Sequence, residues 1–436
     1  MHYVDVILPL PLEGTFTYSV PEPMVAQVRM GVRVLVPLGR SKTYTAMAVR
    51  LHSEKPEFET RPIIQVIDAE PVLIEQQLRL WQWISTYYMS PIGDVFKAAL
   101  PAGLKAEENY RPKTVRCVTL PANLRSEQSL HMALTILKRA LKQHQTFSTY
   151  LELSHWSEID GETPPAHIAE IACDELQNAA NASDAVLRQL IQRNFLELYH
   201  REVGRLNTTG EYHPERIQPL SPAQQAAEDS IQKQFNKKNV VLLHGVTSSG
   251  KTEIYIHLIK KAIDEGKQVL YLLPEIALTV QMTRRLHNVF GSRLGIYHSK
   301  YSDAERVEIW KKQLSSEPYD VILGARSAVF LPFTRLGFII VDEEHETSFK
   351  QQDPAPRYHA RSTAIMLARM YEGAKVLLGT ATPSMESYHN ACTGKYGYVQ
   401  LTTRYKDVAM PEIRVVDTLL ASIEPYEKAR VEKIRQ

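Results

Sequence analysis

Lys251 and Thr252 close the run Gly245-Val246-Thr247-Ser248-Ser249-Gly250-Lys251-Thr252, which fits G-x-x-x-x-G-K-[ST] without mismatch. In such a loop, backbone N–H groups and the start of the following helix present partial positive charge to phosphate oxygens. The lysine reaches the terminal phosphates and the hydroxyl joins a magnesium shell. Lys251 is therefore expected to be catalytic, Thr252 a metal ligand, and Gly245, Thr247, Ser248, Ser249 and Gly250 the phosphate cradle. A second chemical group follows the apolar run Phe338-Ile339-Ile340-Val341: Asp342-Glu343-Glu344-His345. Asp342 is expected to hold magnesium against the phosphates, and Glu343 to orient and deprotonate an attacking water. Four polar residues in a row usually form a solvated loop; the pairing with Lys251 gives these a chemical reading. Thr380 and Thr382, in Gly379-Thr380-Ala381-Thr382-Pro383-Ser384, put small hydroxyls behind another apolar run and are expected to sense the nucleotide.

The elements that must position these groups follow from the apolar pattern. Val240–Leu243, Gln268–Leu273, Asp320–Leu323, Phe338–Val341 and Val376–Leu378 are short runs separated by helical segments. That pattern predicts a parallel sheet covered on both faces, with the phosphate loop at the carboxyl end of its first strand. Earlier, Thr15–Val20, Arg33–Val36 and Tyr44–Leu51 are β-rich runs punctuated by turns, which predicts a small barrel or sheet. Ile74–Tyr88 reads as a helix on the spacing of Leu78, Trp81 and Ile84. Trp81, Trp83, Tyr87 and Tyr88 read first as core rings, with base stacking as the alternative. Residues 105–125 read as a linker or irregular strand. Helical patterns follow at Leu130–Gln143, His167–Asn178 and Asp184–Asn194, then a ribbon from Phe195–Tyr199 and Val203–Leu206. Three helices and a hairpin are the winged-helix order. Arg188 and Arg193 on the third helix face either phosphates or solvent.

The chain has 436 residues, enough for about three domains. Its 44% hydrophobic and 23% charged content is that of folded protein. A net charge of +2 means that a polyanion must be met by local patches. Cys117, Cys173 and Cys392 make no C-x-x-C pair, which argues against a disulfide scaffold and a cysteine zinc site. The apolar run Val4–Leu12 is broken by Asp5, Pro9 and Pro11 and has no basic lead. It is not a signal peptide, and no run reaches membrane-spanning length, so the expectation is a cytoplasmic protein without a membrane partner.

The order of motifs resembles helicase superfamily 2. Pro274–Thr279 is similar to its motif Ia, Gly324-Ala325-Arg326-Ser327-Ala328 with Pro332 to motif Ib, Asp342-Glu343-Glu344-His345 to motif II and Gly379-Thr380-Ala381-Thr382-Pro383-Ser384 to motif III. Gln224 resembles the glutamine that reads adenine ahead of the phosphate loop. Within that superfamily the details resemble the PriA family (primosomal protein N′), the bacterial replication-restart helicases. Ser348-Phe349-Lys350-Gln351-Gln352 with Arg357-Tyr358-His359-Ala360-Arg361 is similar to the family's aromatic-rich loop. On the residues themselves, Phe349 and Tyr358 offer stacking faces, and Lys350, Arg357 and Arg361 offer phosphate charge; the resemblance adds Arg326 to these DNA contacts. Thr15–Tyr18, Val36–Gly39 and Pro91–Val95 match the family's N-terminal module, which binds the 3′ end of a nascent strand. Phe16, Gly39 and Arg61 fall on its pocket, with Arg61 in place of a lysine and Thr17 where well-known members carry Asp.

The resemblance implies a multidomain α/β protein: a β-rich 3′-end DNA-binding domain at 1–106, a winged helix at 107–206, and a P-loop, RecA-like helicase lobe at 207–410. It implies an ATP-dependent 3′-to-5′ DNA helicase that recognises stalled forks and restarts replication through primosome assembly. Cofactors would be ATP and Mg2+; partners would be forked and single-stranded DNA, single-strand binding protein and helicase-loading proteins. Family members continue into a second lobe with motifs IV to VI and a zinc insertion, neither of which this sequence carries. Residues 411–436 are then expected to be a linker and the opening of that lobe, and ATPase activity of this chain alone to be low. A competing reading is a non-catalytic fragment that binds fork DNA and nucleotide. A P-loop kinase is disfavoured, having no use for motifs Ia and Ib.

Overall fold

The structure is a computed structural model that describes residues 2–39, 41–105, 114–155, 170–202, 210–299 and 301–404. The chain begins with β1 (His2–Ile7), β2 (Phe16–Val20), β3 (Arg33–Leu38), β4 (Lys42–His52), β5 (Gln65–Val66), α1 (Glu75–Tyr87) and α2 (Ile92–Ala99). Next come β6 (Thr114–Thr119), α3 (Glu127–Leu137), α4 (Leu141–Leu153), β7 (Ile171–Ala172), α5 (Cys173–Ala180), α6 (Asp184–Gln192) and β8 (Glu197–Glu202). The remainder alternates: α7 (Pro222–Phe235), β9 (Val240–Gly245), α8 (Lys251–Asp264), β10 (Gln268–Leu272), α9 (Val280–Phe290), β11 (Leu294–Tyr297) and α10 (Asp303–Leu314). It closes with β12 (Val321–Gly324), β13 (Leu336–Asp342), α11 (Ala360–Arg369), β14 (Lys375–Thr380), α12 (Met385–Cys392) and β15 (Gly397–Leu401).

Packing divides this chain into two compact units. One gathers Met1–Glu75, Pro91–Thr209 and Ser299–Pro318; the other gathers Gln76–Ser90, Gly210–His298 and Tyr319–Gln436. Most of α1 therefore belongs with the second unit and α10 with the first.

In the first unit, β2-β1-β4-β3-β5 form an antiparallel sheet. Its core is built by Val4 and Val6 of β1, Tyr18 and Val20 of β2, Val34 and Val36 of β3, and Ala46 and Ala48 of β4. The same unit holds a second small sheet, β7-β6-β8, packed with α3 to α6. Here the structure departs from the sequence pattern in three places. The helix expected over 130–143 is two helices, because Ala140 leaves helical geometry (φ −119°, ψ 74°) and α4 restarts behind it. Residues 171–172 of the expected helix over 167–178 are the strand β7, and α5 starts only at Cys173. Residues 114–119, read as a linker or an irregular strand, are a regular central strand: β6 pairs with β8 from Thr114↔Glu202 to Thr119↔Glu197. The partner strand expected at 203–206 lies outside the described residues.

The second unit is organised on a seven-stranded parallel sheet, β11-β12-β10-β13-β14-β9-β15. β10 and β13 are buried throughout and β9 everywhere but His244, as apolar runs sandwiched between helices must be. β11 and β15 were not legible as strands; they are edges, four and five residues long, with Gly295 inside β11 and Gly397 opening β15. Among the described residues no helix is long and apolar enough to cross a membrane.

Candidate active site

The phosphate loop runs from the end of β9 to the start of α8. Gly250 takes φ +79° and Ser248 φ +63°, which turns successive N–H groups into the bend ahead of the helix. Gly245 is tightly packed: a Cβ there would lie 3.0 Å from Ser249 Oγ and 3.1 Å from Lys251 Cδ, so those side chains would have to give way. Lys251 is buried, and its Nζ donates to the Gly245 carbonyl at 3.1 Å, so the ammonium lies folded along its own loop. Ser249 Oγ is buried with no hydrogen-bond partner, a polar atom waiting for a ligand. Thr247, by contrast, is exposed at the loop tip.

Asp342 ends β13, two strands from β9 with β14 between them. At ordinary strand spacing that is ~10 Å, about the reach of a triphosphate. Its carboxylate accepts from Tyr255 Oη at 3.0 Å, Tyr271 Oη at 3.2 Å and the Glu343 N–H at 3.1 Å. Burial and then the charge of Glu343 push Asp342 up to about 6, against the pull of Lys251 and Tyr255. Burial and Asp342 in turn push both tyrosine hydroxyls well above their ordinary range, which keeps them protonated donors. Glu343 is held at φ +49°, a left-handed conformation rare outside glycine. A cavity of about 620 Å3 joins Ser248 to Thr252 with Asp342 and Glu343. Hard oxygen donors from Thr252 and Asp342 in one cavity beside a phosphate loop fit magnesium and not a soft metal. Tyr255 and Tyr271 were missed by sequence reasoning. Their only signal is polar hydroxyls on the buried faces of α8 and β10, which must find a partner.

Three residues expected at the nucleotide stand outside the cavity lining. Gln224 does not line the cavity: its Nε2 donates to the Gly250 carbonyl at 3.1 Å and its Oε1 accepts from the Ser221 N–H at 2.8 Å. It caps α7 and braces the phosphate loop, and Gln218 lines the cavity instead. Thr380 and Thr382 are likewise not among the lining residues. They surround His345, whose Nδ1 lies 2.8 Å from Thr380 Oγ1 and whose Nε2 lies 3.4 Å from Thr382 Oγ1.

The segment after Asp342 folds inward. Glu344 is fully buried and accepts from Arg361 Nη1 at 2.6 Å, the Ser384 N–H at 2.7 Å, Ser384 Oγ at 3.0 Å and Ser387 Oγ at 2.8 Å. Arg361 is thus the partner of a buried carboxylate and not a surface cation for phosphates. Phe349 and Tyr358, expected to stack on bases, are each 1% exposed. The Tyr358 ring packs edge-on against Phe330 at 5.0 Å; apolar rings gain more from this core than from solvent. Lys350 donates to the Arg357 carbonyl and sits 5.1 Å from the Tyr88 ring. Arg326 Nη1 holds the Lys350 carbonyl at 3.2 Å, which leaves Arg357 as the exposed cation of this segment.

In the first unit the structure brings Gly39 and Arg61 together: Arg61 Nη1 donates to the Gly39 carbonyl at 2.5 Å, at a turn where Gly39 has φ +69°. Phe16 opens β2 and packs against the sheet core. Thr17 Oγ1 donates to Asp5 Oδ1 at 2.6 Å, and Asp5 also meets Arg50 at 3.0 Å and His52 at 3.3 Å.

Three family models match the chain in succession: a 3′ DNA-binding domain (3′BD) of PriA at residues 5–101, a winged-helix domain of PriA helicase from Bacteroidota at 115–203, and a DEAD/DEAH box helicase domain at 221–391. Replication restart protein PriA of Bacillus subtilis is 31% identical over 96% of this chain and 58% of that protein. The PriA of Haemophilus influenzae is 35% identical over 93% of this chain and 52% of that protein. That of Chlamydia pneumoniae is 32% identical over 92% and 51%. The chain spans about half the length of these curated relatives. With three modules in sequence and relatives aligned over more than nine-tenths of its length, the chain belongs to the PriA family.

Proposed function

We propose that this chain carries the fork-recognition modules and the nucleotide-binding lobe of a cytoplasmic, ATP-dependent DNA helicase that moves 3′ to 5′ and restarts replication. The single observation that carries the reading is the cavity shared by the phosphate loop, Asp342 and Glu343. ATP binds with its phosphates on the N–H groups of the loop, and Lys251 swings from the Gly245 carbonyl to the terminal phosphates. Thr252 and Asp342 would hold Mg2+, which would neutralise phosphate charge when bound. Glu343 takes a proton from the attacking water. The Arg61–Gly39 pair and Phe16 receive the 3′ end of a strand, and Arg326, Lys350 and Arg357 supply charge to single-stranded DNA. Single-strand binding protein and helicase-loading proteins are the expected protein partners.

Among the described residues, the cations lining the cavity are Lys251 and Arg285, and Arg285 is already paired with Glu253. One uncommitted cation is less than phosphoryl transfer uses, so turnover by this chain alone is slow. The test is binding of a fluorescent ATP analogue with and without Mg2+, together with the ATPase rate with and without single-stranded DNA. Magnesium-dependent binding should be lost in Lys251→Ala, with weak stimulation by DNA. Equal binding by Lys251→Ala would remove the nucleotide site, and a strong DNA-stimulated rate abolished by Lys251→Ala would remove the view that more cations are needed.

A further inference from the structure

The phosphate loop occupies one end of the large sheet, and the other end carries a concavity that the nucleotide chemistry does not use. A cavity of about 420 Å3 opens where β9 and β14 begin. The turn ahead of β9, the end of α11, the turn ahead of β14 and the residues ahead of β15 line it. Val240 belongs to this lining, while Gly245, at the far end of the same strand, opens the phosphate loop. The six residues of β9, ~17 Å of extended chain, therefore lie between the two ends.

The charge of this cavity is one-sided. Among the described residues, Lys237, Lys238, Arg369 and Lys395 line it against the single acid Glu372. Lys237, Arg369 and Lys395 are exposed and enter no ion pair among the described residues. Lys238 Nζ donates to the Gly394 carbonyl, and Lys375, beside the cavity, donates to Asn239 Oδ1 at 2.8 Å. Both of these ammonium groups meet neutral oxygens and keep their full charge. Cations gathered without counter-charges repel one another, and an anion placed among them relieves the repulsion. In a chain of net charge +2, this is the kind of local patch that a polyanion needs. Two of the cations expected to serve nucleic acid after Asp342 are committed within the fold: Arg361 to the Glu344 carboxylate and Lys350 to the Arg357 carbonyl.

The rings decide which form of polyanion fits. Single-stranded nucleic acid is held by cations together with ring faces on which its bases stack. Tyr371 and Tyr396, the rings of this lining, are half-buried, and Tyr371 Oη is tied to the Phe333 carbonyl at 2.7 Å. The cavity thus offers charge to phosphates and no open platform to bases. A duplex matches that surface, because its bases stack inward and its outer face is phosphate.

We propose that this cavity and its rim bind the phosphate backbone of double-stranded DNA, at the end of the sheet away from the nucleotide. The inference rests on the DNA-binding reading above and deepens it by placing an unopened duplex. Lys237, Arg369 and Lys395 take phosphates, and contacts of this kind carry no sequence preference.

The test uses the full chain with a fluorescein-labelled dumbbell duplex, which has no strand ends, and oligothymidylate as the single-stranded comparison. Anisotropy titrations over a range of salt give the slope of log K against log salt for each. Lys237→Ala, Arg369→Ala and Lys395→Ala should each flatten the dumbbell slope by about 0.9, and the triple variant by about 2.7. The oligothymidylate slope should stay unchanged. Arg369→Lys should keep the wild-type dumbbell slope, since a point charge suffices for a backbone phosphate. The three side chains are exposed, so melting temperatures should match wild type, and the single variants decide the matter if the triple variant does not fold. An unchanged dumbbell slope in the alanine variants overturns the site while DNA binding stands. Equal flattening for dumbbell and oligothymidylate overturns the assignment to duplex. Stronger displacement of the labelled dumbbell by polyglutamate than by unlabelled dumbbell, at equal charge, overturns it in favour of an acidic protein. If wild type binds neither DNA, the DNA-binding reading falls and the site with it.

Discussion

At the scale of single residues, charge in the interior decides what each group is free to do. Glu344 and Arg361 form an ion pair with the carboxylate wholly buried and the guanidinium 12% exposed. Such a pair contributes little beyond an apolar replacement, but removing one partner strands a charge in low dielectric. Arg361→Ala should therefore destabilise the second unit by about 3–5 kcal/mol in urea unfolding. The double variant Glu344→Leu/Arg361→Leu should recover much of that loss. Equal stability of wild type and Arg361→Ala would show that the serine donors alone carry the carboxylate. Asp342 shows the opposite arrangement: two tyrosine hydroxyls and one N–H hold it without a counter-cation in hydrogen-bond contact, leaving it fit for a divalent ion.

At the scale of elements, the site depends on β14 passing between β9 and β13. Gly379 is the point of closest approach: a Cβ there would sit 1.8 Å from Tyr255 Oη and 3.2 Å from Asp342 Oδ1. Gly379→Ala must push Tyr255 off Asp342. We expect magnesium-dependent nucleotide affinity to fall about 10- to 100-fold, as when a hydrogen-bond partner of a metal ligand is lost. A titration of the fluorescent ATP analogue at fixed Mg2+ measures this, and unchanged affinity would show that Tyr255 does not orient the acid. Helix starts are locally encoded by comparison: Ser221 and Gln224 form a reciprocal cap on α7, as Ser302 and Glu305 do on α10.

At the scale of the molecule, the nucleotide cavity lies wholly within the second unit, since its lining runs from Gln218 to Arg285 and then Asp342 to Glu343. Ligand binding stabilises only the unit that binds it. Calorimetry should show the transition of the second unit raised by about 2.7 kcal/mol at a hundredfold excess of nucleotide over its Kd, with the first unit unmoved. The first unit has its own long-range tie: Trp310 Nε1 donates to the Val72 carbonyl at 2.7 Å, both groups belonging to it. Trp310→Phe should lower the first transition by about 1–3 kcal/mol, because it leaves a carbonyl unsatisfied. A shift of both transitions by nucleotide would mean that the two units unfold together.

The phosphate loop, the acids of Asp342 and Glu343, and five of the seven strands in the large sheet were legible in the amino-acid order. Each is a contiguous signal: glycines and a lysine at fixed spacing, or an apolar run that only a doubly covered strand can use. The edge strands β11 and β15 were not, since short runs that contain or open on a glycine look like turns until a neighbour supplies their hydrogen bonds. Tertiary structure alone put Tyr255 and Tyr271 on Asp342, made residues 114–119 the centre of a sheet, and separated Trp81 from Trp83 and Tyr87. It also turned Phe349 and Tyr358 inward, where the sequence offers equal reason to face a base. The physical ground is the same in each case: a ring or hydroxyl reports its chemistry in the sequence, but whether water or Phe330 lies against it is set by chain segments far away.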